Sequence, residues 1–157
     1  MNKATVTAAL VSLAALLSGC GGNTKADFVA RADAICAKTV RETRSLAPPG
    51  VSQDKRQQLH ALAVYLAVVL PLVESESAQI RALKRPTGDA RGRAALARYL
   101  AALAQAATDY GQLAAAAKRG DAQGVASAEA ALGANPVSSL ATGYGLRSCG
   151  SPGATVA

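Results

Sequence analysis

Apolar side chains recur at three- and four-residue steps along most of this chain, and clusters of turn-forming residues divide it into four stretches. Between Lys25 and Leu46 the stripe is Phe28, Ala32, Ile35, Cys36, Thr39, Val40, Thr43 and Leu46. Thr24 with Asp27 three places on forms a capping pair at its start, and Pro48-Pro49-Gly50 ends it. Between Ser52 and Lys84 the stripe is Leu59, Leu62, Leu66, Val69, Leu70, Val73, Ile80 and Leu83. Residues 61–73 of this stretch are continuously apolar, but thirteen residues fall short of the roughly twenty that cross a hydrocarbon core of about 30 Å. The pattern therefore predicts a core helix, kinked at Pro71, where a backbone donor is lost.

After the turn Pro86-Thr87-Gly88-Asp89, a third stretch runs to Arg119, with Leu96, Tyr99, Leu100, Leu103, Ala107, Tyr110, Leu113 and Ala117 facing inward. Lys118 and Arg119 suit the negative end of a helix, and Gly120 supplies a left-handed stop. Asp121 opens a fourth stretch carrying Val125, Ala128 and Leu132. Gly124, Gly133 and Pro136 weaken it, so it is expected to break near Asn135 and resume to about Thr142, with 144–149 as an ordered tail. Four helical stretches with short turns predict an all-α, up-down-up-down four-helix bundle.

Composition sharpens this picture. Half of the 157 residues are hydrophobic, but only 3% are aromatic, and 38 are alanine. The apolar content is mostly methyl groups, which excludes intrinsic disorder and disfavours an all-β fold. Alanine on facing positions predicts close helix spacing, at the short end of about 8–10 Å.

The first twenty residues, MNKATVTAALVSLAALLSGC, have a basic start at Lys3, an uncharged run from Ala4 to Leu17, and small residues before a cysteine. This is the layout of a secretory signal. Leu17-Ser18-Gly19-Cys20 resembles the lipobox of bacterial lipoproteins. The resemblance implies that residues 1–19 are removed and that the Cys20 thiol carries a diacylglyceryl group, with residues 20–24 as the tether. Two acyl chains give stable membrane attachment. The remaining organisation is a helical domain over 25–149 and a flexible tail over 150–157, outside the cell and held at its membrane.

With Cys20 assigned to lipid, Cys36 and Cys149 form an even pair in an oxidising compartment, which predicts one disulfide across 113 residues of chain. Redox and metal roles are the alternatives, but neither has C-x-x-C spacing to support it. The segments Phe28-Val29-Ala30-Arg31-Ala32-Asp33-Ala34-Ile35-Cys36 and Tyr144-Gly145-Leu146-Arg147-Ser148-Cys149-Gly150 resemble a group of small exported actinobacterial helical proteins. That resemblance implies the same disulfide and fold, and it carries no catalytic residue over.

Candidate chemistry is sparse. His60 is the only histidine, so a metal site lacks ligands and no cofactor is expected. Glu74 and Glu76, two apart, point to different helix faces, although Asp109 could meet one of them across the bundle. No nucleophile motif or phosphate loop is present. The chain carries a net charge of +7, and six basic residues gather around the second turn: Arg81, Lys84, Arg85, Arg91, Arg93 and Arg98. They form either a solvated turn or a surface for anionic lipid or cell-wall polymer. An extracytoplasmic location and scarce aromatics disfavour nucleic acid. Two functional expectations follow. The first is a non-enzymatic interaction or scaffold module of the cell envelope. The second is a bundle that holds a small apolar ligand near Tyr65, Pro71, Tyr99 and Tyr110.

Overall fold

A computed structural model describes residues 23–149; Cys20, the signal segment and the tail from Gly150 lie outside the described residues. Among these residues the protein is entirely helical: α1 (Lys25–Arg44), α2 (Lys55–Ala82), α3 (Ala90–Arg119), α4 (Ala122–Ala134) and α5 (Val137–Tyr144). The fourth stretch of the sequence is divided between α4 and α5.

Short polar side chains set the helix starts by satisfying backbone N–H groups that have no partner within the first turn. Thr24 and Asp27 form a reciprocal capping box, with Thr24 Oγ1 accepting from Asp27 N at 3.1 Å and Asp27 Oδ2 accepting from Thr24 N at 3.0 Å. Asp54 caps α2 by accepting from Arg56 N at 2.8 Å, which is why the helix begins at Lys55 and not at Ser52. Asp89 and Asp121 do the same for α3 and α4 through the amides of Gly92 and Gly124. At the far end of α3, Gly120 adopts φ 69°, a left-handed conformation that costs glycine nothing.

The break between α4 and α5 is pinned from outside. Asn135 donates from Nδ2 to Ala102 O on α3 at 3.1 Å, while its Oδ1 accepts from Val137 N at 2.9 Å. One side chain thus closes α4, opens α5 and fastens both to α3. The helix resumes as far as Tyr144, two residues beyond the expected stop. There Gly145 (φ 105°) lets Leu146 N turn back onto Ala141 O at 2.9 Å.

Helix α3 packs against α2, α4 and α5, and α1 packs against α2. The interior falls into two clusters. One gathers Phe28, Cys36, Ile80, Tyr99, Tyr144 and Leu146; the other gathers Leu66, Tyr110, Leu113, Val125 and the alanines at 116, 117 and 128. Ala107, expected inside, is half-buried; Ala106 and Asp109 take the buried positions, and Asp109 is satisfied by Gln105 Nε2 at 2.8 Å. Asp109 therefore engages its own helix and not an acid on α2.

Helix α2 departs furthest from expectation. It continues through Pro71 as a single helix, with Pro71 on the exposed side. The Ala67 carbonyl, deprived of its usual i+4 donor, belongs to an exposed residue where water can serve it. Its apolar run covers the whole circumference, yet only one face is packed. Only 17% of its most apolar 18-residue window is buried, and Val64 and Val68 are half or more exposed. By length and composition alone this helix is long enough to cross a membrane. It is thus a core helix on one side only.

The disulfide forms between Cys36 of α1 and Cys149 beyond α5, with Cα atoms 5.1 Å apart. Around it the two sequence segments quoted above interlock. Asp33 Oδ1 accepts from the backbone amides of Arg147 and Ser148 at 2.8 and 2.9 Å. Phe28 meets Tyr144 edge to face, with centroids 6.0 Å apart, and Lys25 Nζ lies 4.6 Å from the centre of the Tyr144 ring. Together these contacts build one joint between the start and the end of the domain.

Candidate functional site

A cavity of about 250 Å³ lies where the two core clusters meet. Each surrounding element contributes one face. Helix α2 presents Tyr65, Val69, Val73 and Glu76, spaced 4, 4 and 3, which places them on one stripe. Opposite, α3 presents Tyr99, Leu103, Ala106 and Tyr110 at the same kind of spacing. Thr39, Val40, Thr43 and Arg44 come from the last turns of α1, and Leu132, Asn135, Val137 and Ser138 from the α4–α5 break. Pro48 and Pro49 border it from the connection before α2. An apolar cavity of about 150 Å³ is enough to hold benzene, so this one accommodates a somewhat larger molecule.

An outer groove of about 810 Å³ adjoins it along Gly50, Val51, Gln58, Leu62 and Glu129. The two share Pro49, Tyr110, Leu132, Asn135 and Ser138, which gives the inner cavity a route to solvent. The groove is larger, and the two are about equally open to solvent. The inner cavity has the buried walls that grip a ligand.

Its polar groups are few. Thr43 spends its hydroxyl on Thr39 O at 2.9 Å, and Asn135 is already committed to Ala102 and Val137. Tyr99 is fully buried, and its hydroxyl is the one buried side-chain polar atom without a hydrogen-bond partner among the described residues. Burial, reinforced by the negative charges of Glu76 and Asp33, pushes the Tyr99 phenol far above its ordinary pKa. Glu76 is half-buried, and desolvation raises its carboxyl above the usual 4.5 despite a hydrogen bond with Thr39. An unpartnered buried hydroxyl beside a carboxyl with a raised pKa makes this concavity the candidate binding site.

Raising the Glu76 pKa on folding means that the folded state gains from protonation. That contribution is complete below about pH 4.5 and disappears as the pH climbs through the raised value. Glu76→Gln is therefore expected to raise the melting temperature at neutral pH and to flatten its decline between about pH 4 and 7. Thermal melts of both proteins across that range check this; parallel curves would contradict it.

The structure places the sequence-derived candidates as follows. Tyr65, Tyr99 and Tyr110 stand on the cavity wall, whereas Pro71 faces outward and takes no part in it. Glu76, Thr39 and Thr43 also line the cavity, where their polarity gave no reason to expect them. The signal for Glu76 was present, since it continues the 65/69/73 stripe of α2. His60 is exposed, and no group of three or more metal-ligating side chains occurs among the described residues.

Arg81, Lys84, Arg85, Arg91, Arg93 and Arg98 are all exposed, and none makes an ion pair among the described residues. Arg85 Nη2 donates to Arg81 O at 3.2 Å and Arg93 donates to Gly88 O, which orders the turn without neutralising it. This turn is fastened to the beginning of the domain: Thr87 N donates to Asn23 O at 2.9 Å, and Asn23 Nδ2 donates to Lys84 O. The basic turn is thus bonded to Asn23, three positions after Cys20 in the sequence. No protein-family model, curated protein or solved structure matches the chain.

Proposed function

We propose that the protein is an extracytoplasmic lipoprotein, anchored through Cys20, whose helical domain holds a small, largely apolar molecule close to the membrane surface. The observation that carries this reading is the cavity of about 250 Å³ at the junction of the two cores, walled by tyrosines and holding an unpartnered Tyr99 hydroxyl. A bundle built only as a scaffold gains nothing from such a gap, because lost packing contacts cost about 24 cal/mol for each Å³ of void. The reading is one of binding, with Glu76 and Tyr99 among the polar groups of the wall.

A second element of the reading concerns the basic turn. Three residues of chain reach at most about 11 Å, so the hydrogen bonds from Thr87 and to Lys84 keep this turn near the lipidated residue. Each exposed cation near an anionic leaflet contributes about 1 kcal/mol. The turn then orients the domain on anionic lipid or wall polymer, with the scaffold role following from that contact. An up-down-up-down course of the helices belongs to the same reading. It is supported by the start of α1 lying beside the end of α2.

The test uses protein from cells fed labelled palmitate. The product is expected to carry the label, and Cys20→Ser to lose it. The purified lipoprotein is then titrated with the neutral fluorophore N-phenyl-1-naphthylamine. Saturable one-to-one binding is expected, and Leu103→Trp, which fills the cavity, is expected to abolish it. Failure to saturate, or equal binding by the filled variant, overturns the ligand-binding reading.

A further inference from the structure

Glu76 is the only acidic side chain on the wall of the inner cavity, and no cation answers it. The Lys38–Glu42 and Arg119–Asp121 ion pairs lie elsewhere. Thr39 of α1 and Tyr99 of α3 share the cavity wall with it. Arg44, the one basic residue bordering the cavity, is exposed at the rim. The negative charge of Asp33 also acts on Tyr99, so two carboxylates bear on the same buried hydroxyl. In a chain of net charge +7, the cavity wall thus carries a carboxyl group without an ion-pair partner.

Resting on the ligand-binding reading above, we propose that the occupant is a small amphiphilic amine held as its ammonium cation. Its apolar body lies against Tyr65, Val69, Leu103 and Tyr110, and its head meets Glu76 and the Tyr99 hydroxyl. The chemistry of the donor set selects this class. An ammonium group donates up to three hydrogen bonds and accepts none, while an ionised carboxylate only accepts and a phenol oxygen can accept. An ammonium ion thus satisfies both under-used groups at once. Tyrosine ring faces add their own attraction for a cation out of water. A neutral ligand leaves the half-buried carboxylate without a countercharge, and an anion is repelled by Glu76 and Asp33 together.

The experiment compares three probes of one shape and different charge on the full lipoprotein by titration calorimetry: 2-phenylethylamine, 2-phenylethanol and phenylacetate. At neutral pH the amine is expected to bind about tenfold more tightly than the alcohol, the weight of one charge-assisted hydrogen bond, with phenylacetate weakest. The preference for the amine is expected to grow from about pH 4 to 7 as Glu76 ionises. Glu76→Gln is expected to bring the amine and alcohol affinities together, and Tyr99→Phe to narrow the gap. Circular dichroism verifies that both variants are folded, and the wild-type pH series tests the proposal independently of them. If the alcohol or phenylacetate binds as well as the amine, or if Glu76→Gln keeps the full preference, the amine proposal falls while the cavity reading stands. If none of the three binds, both fall.

Discussion

Replacing both members of the Cys36–Cys149 bridge by alanine is expected to lower stability by about 4–5 kcal/mol. This is the loop-closure entropy returned to an unfolded chain freed of a cross-link spanning 113 residues. For a domain of this size that corresponds to a fall of roughly 12–25 °C in melting temperature. Few single features have comparable weight against a total stability of about 5–15 kcal/mol. Alanine is the appropriate replacement because Cys36 is fully buried and Cys149 nearly so; serine would add the cost of an unpaired hydroxyl. The joint has other fastenings, since Asp33 still holds the amides of residues 147 and 148 and Leu146 is still buried. The expected outcome is therefore a cooperative unfolding at lower temperature, with no early release of the tail. Melts of the oxidised and bridge-free proteins that coincide within about 3 °C would refute the expectation.

Phe28→Ala carries the second large effect, a loss of about 3–5 kcal/mol measured by chemical denaturation. Phe28 is the only phenylalanine in the chain and is wholly inaccessible to solvent. It fills the space between α1 and the end of α5, with its ring edge to face with Tyr144. Its neighbours include Ala32 and Ala141, which have no side-chain torsions with which to repack the gap. Phe28→Leu, which keeps most of the volume, is expected to lose far less. A loss of under about 1.5 kcal/mol for the alanine variant would show that the joint collapses around the void. Because Phe28 and the disulfide brace the same joint, their combined effect is expected to depart from additivity, and a double-mutant cycle measures by how much.

Much of this joint was legible beforehand, though not its mechanism. The even cysteine pair, in a chain whose start resembles an export signal, pointed to the bridge, and Phe28, Ala32 and Cys36 stood out as one helical face. That Asp33 accepts from two backbone amides more than a hundred residues away was not legible. A carboxylate next to a buried stripe has the same local signature whether it faces water or grips another segment. Asp109 illustrates the reverse case, an acid that is buried because Gln105 of its own helix satisfies it. A gap was expected beside Pro71 because alanine-rich packing around a kink leaves room. Tyr65, Tyr99 and Tyr110 line a cavity, but Pro71 is exposed, because a proline within a helix marks a backbone defect without saying which side it faces. Glu76 had been weighed only as a partner for another acid, because charge, considered alone, suggests solvent.

What the linear chain determined by itself is local and chemical. Thr24, Asp54, Asp89 and Asp121 start helices because their side chains satisfy amides two or three residues on, and Gly120 ends one because it tolerates positive φ. The pairing of Cys36 with Cys149 followed from counting. Tertiary structure alone decided which side of the uniformly apolar α2 is buried, how Asn135 ties the α4–α5 break to α3, and that a gap separates two cores. Periodicity specifies the direction in which a side chain points, while a cavity depends on the distance between helices. That distance is set by the combined volumes of side chains from several helices, which no single stretch of sequence contains.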